Sequence, residues 1–290
     1  MTNRAFVLIA VSLALLFPID TRKSAAADCR LRPGVHGAGG CDSPLPAQLA
    51  HVQSVRFLLE DAAIHTIVTN QASADAFAAF LAGFTSNCID VVITIRVVDP
   101  ADAAFDAIPP ASQQAAVLND VRAFFATFAP TIDACQIGNE IFGGPGTYRI
   151  NGRTAEQWTD GDFDALRAWL DAIAVAALDG AADASATLGL ISPALTAGLT
   201  RRGALGVWQS ACGPEPTCPP AGCGSPCYTP DPLATRLVDF IIAFGNETAD
   251  MVDQHLHVHC REELAATITL LRQNPCGLLA DAPRGLTSLE

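Results

Sequence analysis

From residue 54 onward, branched apolar runs alternate with helical stripes. Ser54–Leu59 (SVRFLL) and Asp90–Val97 (DVVITIRV) read as strands, because β-branched and aromatic side chains suit a pleated backbone. Asp75–Phe84 between them reads as a helix, and so does Ser112–Phe128, where Leu118, Val121, Phe125 and Phe128 share one face. Ala134–Glu140 (ACQIGNE) is a strand that ends in polar residues. A helix begins at Thr159, where Asp162 three residues on completes a capping signature. Its stripe is Phe163, Leu166, Leu170 and Ile173, and Gly180 is expected to stop it. Thr187–Leu195 is a strand, Leu233–Phe244 a helix, Met251–His259 a strand and Glu262–Arg272 a helix. Gly285–Glu290 (GLTSLE) is a last strand, and Pro33–Gly37 is a weaker candidate near the start.

Strand–helix alternation of this kind predicts an α/β fold whose parallel sheet is covered by helices. The length suits a (β/α)8 TIM barrel, although only seven strands can be counted and an eighth is missing. A doubly wound sheet would normally carry a Gly-rich turn after its first strand, and none follows Ser54–Leu59.

The first 27 residues stand apart from this pattern. Arg4, an apolar run over Ala5–Leu16 and the small residues Ala25-Ala26-Ala27 make a secretory signal, with cleavage expected after Ala27. The apolar run is too short to span a bilayer. Residues 28–290 then form one barrel-like domain, secreted or periplasmic, with no membrane segment in its mature form. All ten cysteines lie beyond the signal, and an even count in an exported chain reads as disulfides. Four of them, Cys212, Cys218, Cys223 and Cys227, sit in a Pro/Gly-rich insertion at 209–231, where their spacing lacks the paired C-x2-C of a zinc site.

Charge narrows the chemistry. The chain carries 17 basic and 30 acidic residues, a formal net charge of −13, which disfavours nucleic acid as a partner. Its only lysine, Lys23, lies in the signal. That excludes Schiff-base aldolases and lysine-dependent phosphate loops from the mature chain.

In a barrel, catalytic groups stand at the carboxyl ends of strands. Those ends hold Asn139-Glu140, the run His255-Leu256-His257-Val258-His259, and Glu290. Two strand-end glutamates suit glycoside hydrolysis, which needs a proton donor and a nucleophile or base. Gln136-Ile137-Gly138-Asn139-Glu140 resembles the acid/base motif of the retaining glycoside hydrolases of clan A, in which an Asn-Glu pair closes the fourth barrel strand. The clan usually has Pro next, where this chain has Ile141-Phe142. Leu286-Thr287-Ser288-Leu289-Glu290 resembles the clan's seventh strand, which ends in a second Glu. Asp250–His257 is similar to its sixth strand, and Arg56 to an arginine near the end of its second.

The resemblance implies a TIM barrel acting on a carbohydrate substrate without a cofactor. Glu140 is then the acid/base and Glu290 the nucleophile. Asn139 bonds the sugar 2-hydroxyl, and His255, His257 and Arg56 line the substrate or orient the nucleophile. Two other readings are a carbohydrate-binding barrel without catalysis and a metal-dependent hydrolase built on His255, His257 and His259. His-x-His strand ends also occur in amidohydrolases, but those take further His and Lys ligands, and no His follows His259 here. Arg56 has a purely structural alternative, an ion pair with Glu60 or Asp61.

Overall fold

Strands form where the branched runs lie, and the helices between them fall where an apolar face can cover those strands. The computed structural model describes residues 11–14, 32–37, 54–87, 89–142, 147–213, 227–255 and 286–289. In chain order, β1 (Val11–Ala14) and β2 (Arg32–Gly37) precede β3 (Ser54–Glu60), α1 (Asp61–Thr69), α2 (Gln71–Thr85) and β4 (Asp90–Arg96). A short β5 (Asp106–Ala107) leads to α3 (Ala111–Phe128), β6 (Ala134–Ile137) and β7 (Tyr148–Arg149). The long α4 (Asp160–Asp183), β8 (Gly189–Thr196), α5 (Ala197–Leu205), β9 (Val207–Trp208) and β10 (Tyr228–Thr229) follow. The described elements end with α6 (Pro232–Glu247), β11 (Met251–His255) and β12 (Leu286–Leu289).

The main sheet runs β1-β2-β3-β4-β6-β8-β11-β12. Every pairing is parallel except β1 with β2, so the weak candidate at Pro33–Gly37 is indeed a strand and the first of seven parallel ones. These seven lie in sequence order with no reversal. Right-handed crossovers that always step in one direction place all helices on one face of the sheet. This is the winding of a (β/α) barrel and not of a doubly wound sheet, whose order reverses. Among the described residues no ladder joins β12 back to the other edge.

The two faces differ in chemistry. On β3 and β4 the odd positions Val55, Phe57, Leu59, Val91, Ile93 and Ile95 are buried and apolar. Phe57 stacks against Phe80 and Phe84 of α2, with ring centroids 4.9 and 5.2 Å apart, so this face meets the helices. Side chains alternate along a strand, so the even positions turn to the other face. There Arg56, Thr94, Arg96 and Gln136 are also buried. Aspartates fix the register at two strand entrances. Asp133, just before β6, accepts the Val91 N–H at 2.8 Å, and Asp250, just before β11, accepts the Leu190 N–H at 2.9 Å.

Several elements depart from the sequence pattern. Asp61–Thr69 is helical although Thr66-Ile67-Val68-Thr69 is a β-branched run with poor helix propensity. Burial of Ile64 and Ile67 overrides that preference, and Asn70 then caps α2 by accepting the Ser73 N–H at 3.2 Å. The strand at Ala134 stops at Ile137, short of Asn139-Glu140. Gly180 does not stop its helix, which runs on to Asp183. A Cβ there would press into the Arg122 carbonyl and come within 2.9 Å of the Phe125 Cβ, so this glycine is the contact point of α3 and α4. The capping signature does hold, since Thr159 and Asp162 form a reciprocal capping box. The expected helix Glu262–Arg272, His257, His259 and Glu290 lie outside the described residues.

Candidate active site

The turn that follows β6 carries the first strand-end glutamate. Gly138 adopts φ +77°, which a residue with a side chain rarely does, and a Cβ there would lie 3.0 Å from Ile141 Cγ2. Backbone bonds from three neighbours hold the turn. Gly138 N–H donates to the Ile95 carbonyl at 3.0 Å, Ala194 N–H to the Asn139 carbonyl at 2.9 Å, and Tyr148 N–H to the Ile141 carbonyl at 3.0 Å. Ile141 and Phe142, standing where a proline was expected, anchor the turn by burial. Ile141 is fully buried, and the Phe142 ring packs against Trp158 and Phe240, both at 5.6 Å. Asn139 and Glu140 are consequently only 7% and 6% exposed, so each is a polar group in a largely dry setting at a carboxyl strand end.

Beneath the turn, Gln136 collects two donors. Its Oε1 accepts from Arg56 Nη1 at 2.8 Å and from Thr94 Oγ1 at 2.7 Å. Arg56 is the third residue of the seven in β3, not near that strand's carboxyl end. It therefore stands a layer below Glu140 and braces the strand that carries it. Glu60, at the end of β3, meets a different arginine, with its Oε1 3.6 Å from Arg96 Nη1.

Arg96, Asp106 and Tyr148 form a second buried cluster beside the turn, absent from the sequence reading. Arg96 Nε donates to Asp106 Oδ1 at 2.8 Å, and Nη2 lies 2.7 Å from the same oxygen. Burial pushes the Asp106 carboxyl up to about 6, against the pull of Arg96. Tyr148 is likewise held well above the usual phenol range by burial and by the neighbouring Asp106 charge. One signal for the cluster lay in the sequence, an arginine placed at the end of an otherwise apolar, β-branched strand.

His255 is the last residue of β11, level with Thr196 of β8 across a parallel ladder. Leu289 lies opposite Gln254 of β11, which makes β12 the seventh parallel strand, as β6 is the fourth. Among the described residues no group of three His, Cys, Asp or Glu side chains is placed to hold a metal, and the side chains of the 255–259 histidine run lie outside that set. Between β8 and α6, on the carboxyl-end side of the sheet, Cys212 and Cys227 form a disulfide. It closes a hairpin made of β9 and β10, in which the rings of Trp208 and Tyr228 meet edge-on at 5.2 Å. Cys135 sits inside β6, and burial alone pushes its thiol far up, so it is inert.

No family model matches the chain, and no curated protein sequence does. Among solved structures, a thermostable mutant of a xylanase from Cellvibrio japonicus overlaps 86% of this chain at 14% identity and a TM-score of 0.46. An endo-glycoceramidase II from Rhodococcus sp., solved with a cellobiose-like isofagomine, overlaps 83% at 12% identity and a TM-score of 0.45. The chain covers 66% of the first and 59% of the second. A xylose isomerase domain protein from Planctomyces limnophilus overlaps 86% of this chain and 96% of its own length, at 14% identity and a TM-score of 0.34. These overlaps are partial, and two different chemistries appear among them.

Proposed function

We propose that the chain is a secreted glycoside hydrolase of the retaining type, folded as a (β/α)8 barrel, with Glu140 as acid/base and Glu290 as nucleophile. The observation that carries the reading is the setting of Asn139 and Glu140. Both are buried at the carboxyl end of the fourth parallel strand, on a turn held by backbone bonds from three neighbours. A buried strand end is where a carboxyl can be held in fixed geometry against a leaving group. The export signal and the Cys212–Cys227 disulfide agree with an oxidising compartment.

In this reading Glu290 attacks the anomeric carbon while Glu140 gives its proton to the departing glycosidic oxygen. The glycosyl ester so formed is then hydrolysed by a water that Glu140, now a carboxylate, deprotonates. Asn139 bonds the 2-hydroxyl, a contact that strengthens as the oxocarbenium-like transition state forms. His255 and His257 line the sugar site. Arg56 acts one layer down, through Gln136, on the strand that carries Glu140.

Glu140→Ala is expected to cut kcat on natural glycosides by about 100-fold or more. It should largely spare aryl glycosides whose leaving groups need no proton. Equal loss on both substrate types would sink the acid/base assignment. Sugar binding without product on long incubation would favour a binding barrel instead, and stoichiometric zinc in active protein would favour the metal hydrolase.

A further inference from the structure

We propose that Asp106 is a positioning residue for Glu140, acting through its ion pair with Arg96 and through the short β5–β7 ladder. The inference deepens the reading of Glu140 as acid/base and rests on it. Asp106 is fully buried, and a buried ion pair is an expensive way to join two loops, since apolar side chains of similar volume would do so at less cost. What the pair adds is direction. Arg96 is the last residue of β4, and its Nε and Nη2 both reach Asp106 Oδ1, which sets the following loop against the strand end.

From Asp106 the backbone continues to the glutamate turn. Asp106 N–H donates to the Thr147 carbonyl at 2.9 Å, and Asp106 lies opposite Tyr148 in the β5–β7 ladder. Tyr148 N–H then donates at 3.0 Å to the carbonyl of Ile141, the residue after Glu140.

The charged and titratable groups around Asp106 come from four elements. They are Arg96 of β4, Glu60 at the end of β3, Asp61 at the start of α1 and the phenol of Tyr148 in β7. Asp106 Oδ2 has no hydrogen-bond partner among the described residues, so it is the oxygen that takes a proton. The closed ladder keeps Asp106 from water and so favours its protonated form, whereas opening releases it as a carboxylate, so taking up the proton tightens the ladder. With the carboxyl pushed up to about 6, this happens in mildly acidic solution.

The test follows amide exchange of the 138–149 segment between pH 5 and 7.5, corrected for intrinsic rates, in the full chain and in Asp106→Asn. In the unmodified chain, protection of the Tyr148 amide is expected to rise about tenfold between pH 7.5 and 5 as Asp106 protonates, because the closed ladder binds that proton more tightly than the open one. In Asp106→Asn, which has no proton to exchange at this position, protection should be independent of pH. Arg96→Lys, which keeps the charge but not the fork, should keep the pH dependence at a lower level of protection. The activity counterpart is a kcat profile with a step near pH 6 and an unchanged KM in the unmodified chain, a step that Asp106→Asn should lack. Equal protection in both proteins at every pH would overturn the positioning role, and so would parallel pH profiles. If exchange behaves as expected but no glycoside is cleaved, the glycosidase reading fails and the coupling stands.

Discussion

Gly138 shows how one residue can set a site. Its positive φ lets the chain leave β6 and turn Asn139 and Glu140 inward before Ile141 and Phe142 anchor it again. Gly138→Ala has to hold a side chain in that conformation, at a cost of about 1–2 kcal/mol. Its Cβ must also displace Ile141 Cγ2 from 3.0 Å. A denaturant titration is expected to show a loss of at least that size, and an unchanged midpoint would refute the account of the turn. Asn139 and Glu140 stood out in the sequence as a polar pair after an apolar run, but their burial in the turn beyond β6 needed the fold. Asp106 was not legible, because it lies in a two-residue strand that takes shape only when the fold pairs it with Tyr148–Arg149.

Between α3 and α4 two effects of one substitution compete. Gly180→Ala raises helix propensity by roughly 1 kcal/mol. Against that, the new methyl presses into the Arg122 carbonyl and Phe125, and overpacking of this kind costs about 1–3 kcal/mol. Overpacking onto backbone should win, because a carbonyl inside a helix cannot swing aside as a side-chain tip can. Thermal melts of the variant are expected to show net destabilisation, and a gain would mean the two helices part freely. The same residue explains why the sequence pattern ends this helix early. A glycine that closes a helix and a glycine that lets two helices touch look alike until the neighbour is known. The missed α1 has the opposite cause, since burial of Ile64 and Ile67 outweighs the local preference of a β-branched run.

The whole chain, with its net charge of −13, should show two carboxylates pulling stability in opposite directions as pH changes. Asp162 is held at about 2 by hydrogen bonds from the Thr159 backbone and hydroxyl, then by Arg153. Its contribution is complete above the unfolded value of 3.8 and is lost as pH falls through about 2. Asp106 is raised to about 6 by burial, so the folded state favours its protonated form. That contribution is complete below 3.8 and is lost as pH rises through about 6. Melts between pH 2 and 8 should therefore show the Asp162→Ala deficit shrinking toward pH 2. Relative to Asp106→Asn, the unmodified chain should gain stability as pH drops from 7 to about 4. A difference between these two proteins that is constant with pH would contradict the burial of Asp106 as a carboxylate.

Local pattern alone carried the alternation of strand and helix, the weak first strand, the capping box at Thr159 and the polar pair that follows the apolar run at Ala134. Each of these depends on neighbours a few residues apart, where side-chain period and backbone preference act directly. The strand order, the single helical face, the close approach at Gly180 and the Arg96–Asp106 pair needed the folded chain. They join residues between ten and eighty positions apart, and no local preference records such a pairing. The polar layer of Arg56, Thr94 and Gln136 lies between these cases. Its alternation is written in the strands, but that one glutamine oxygen accepts from both donors follows from the register in which those strands pair.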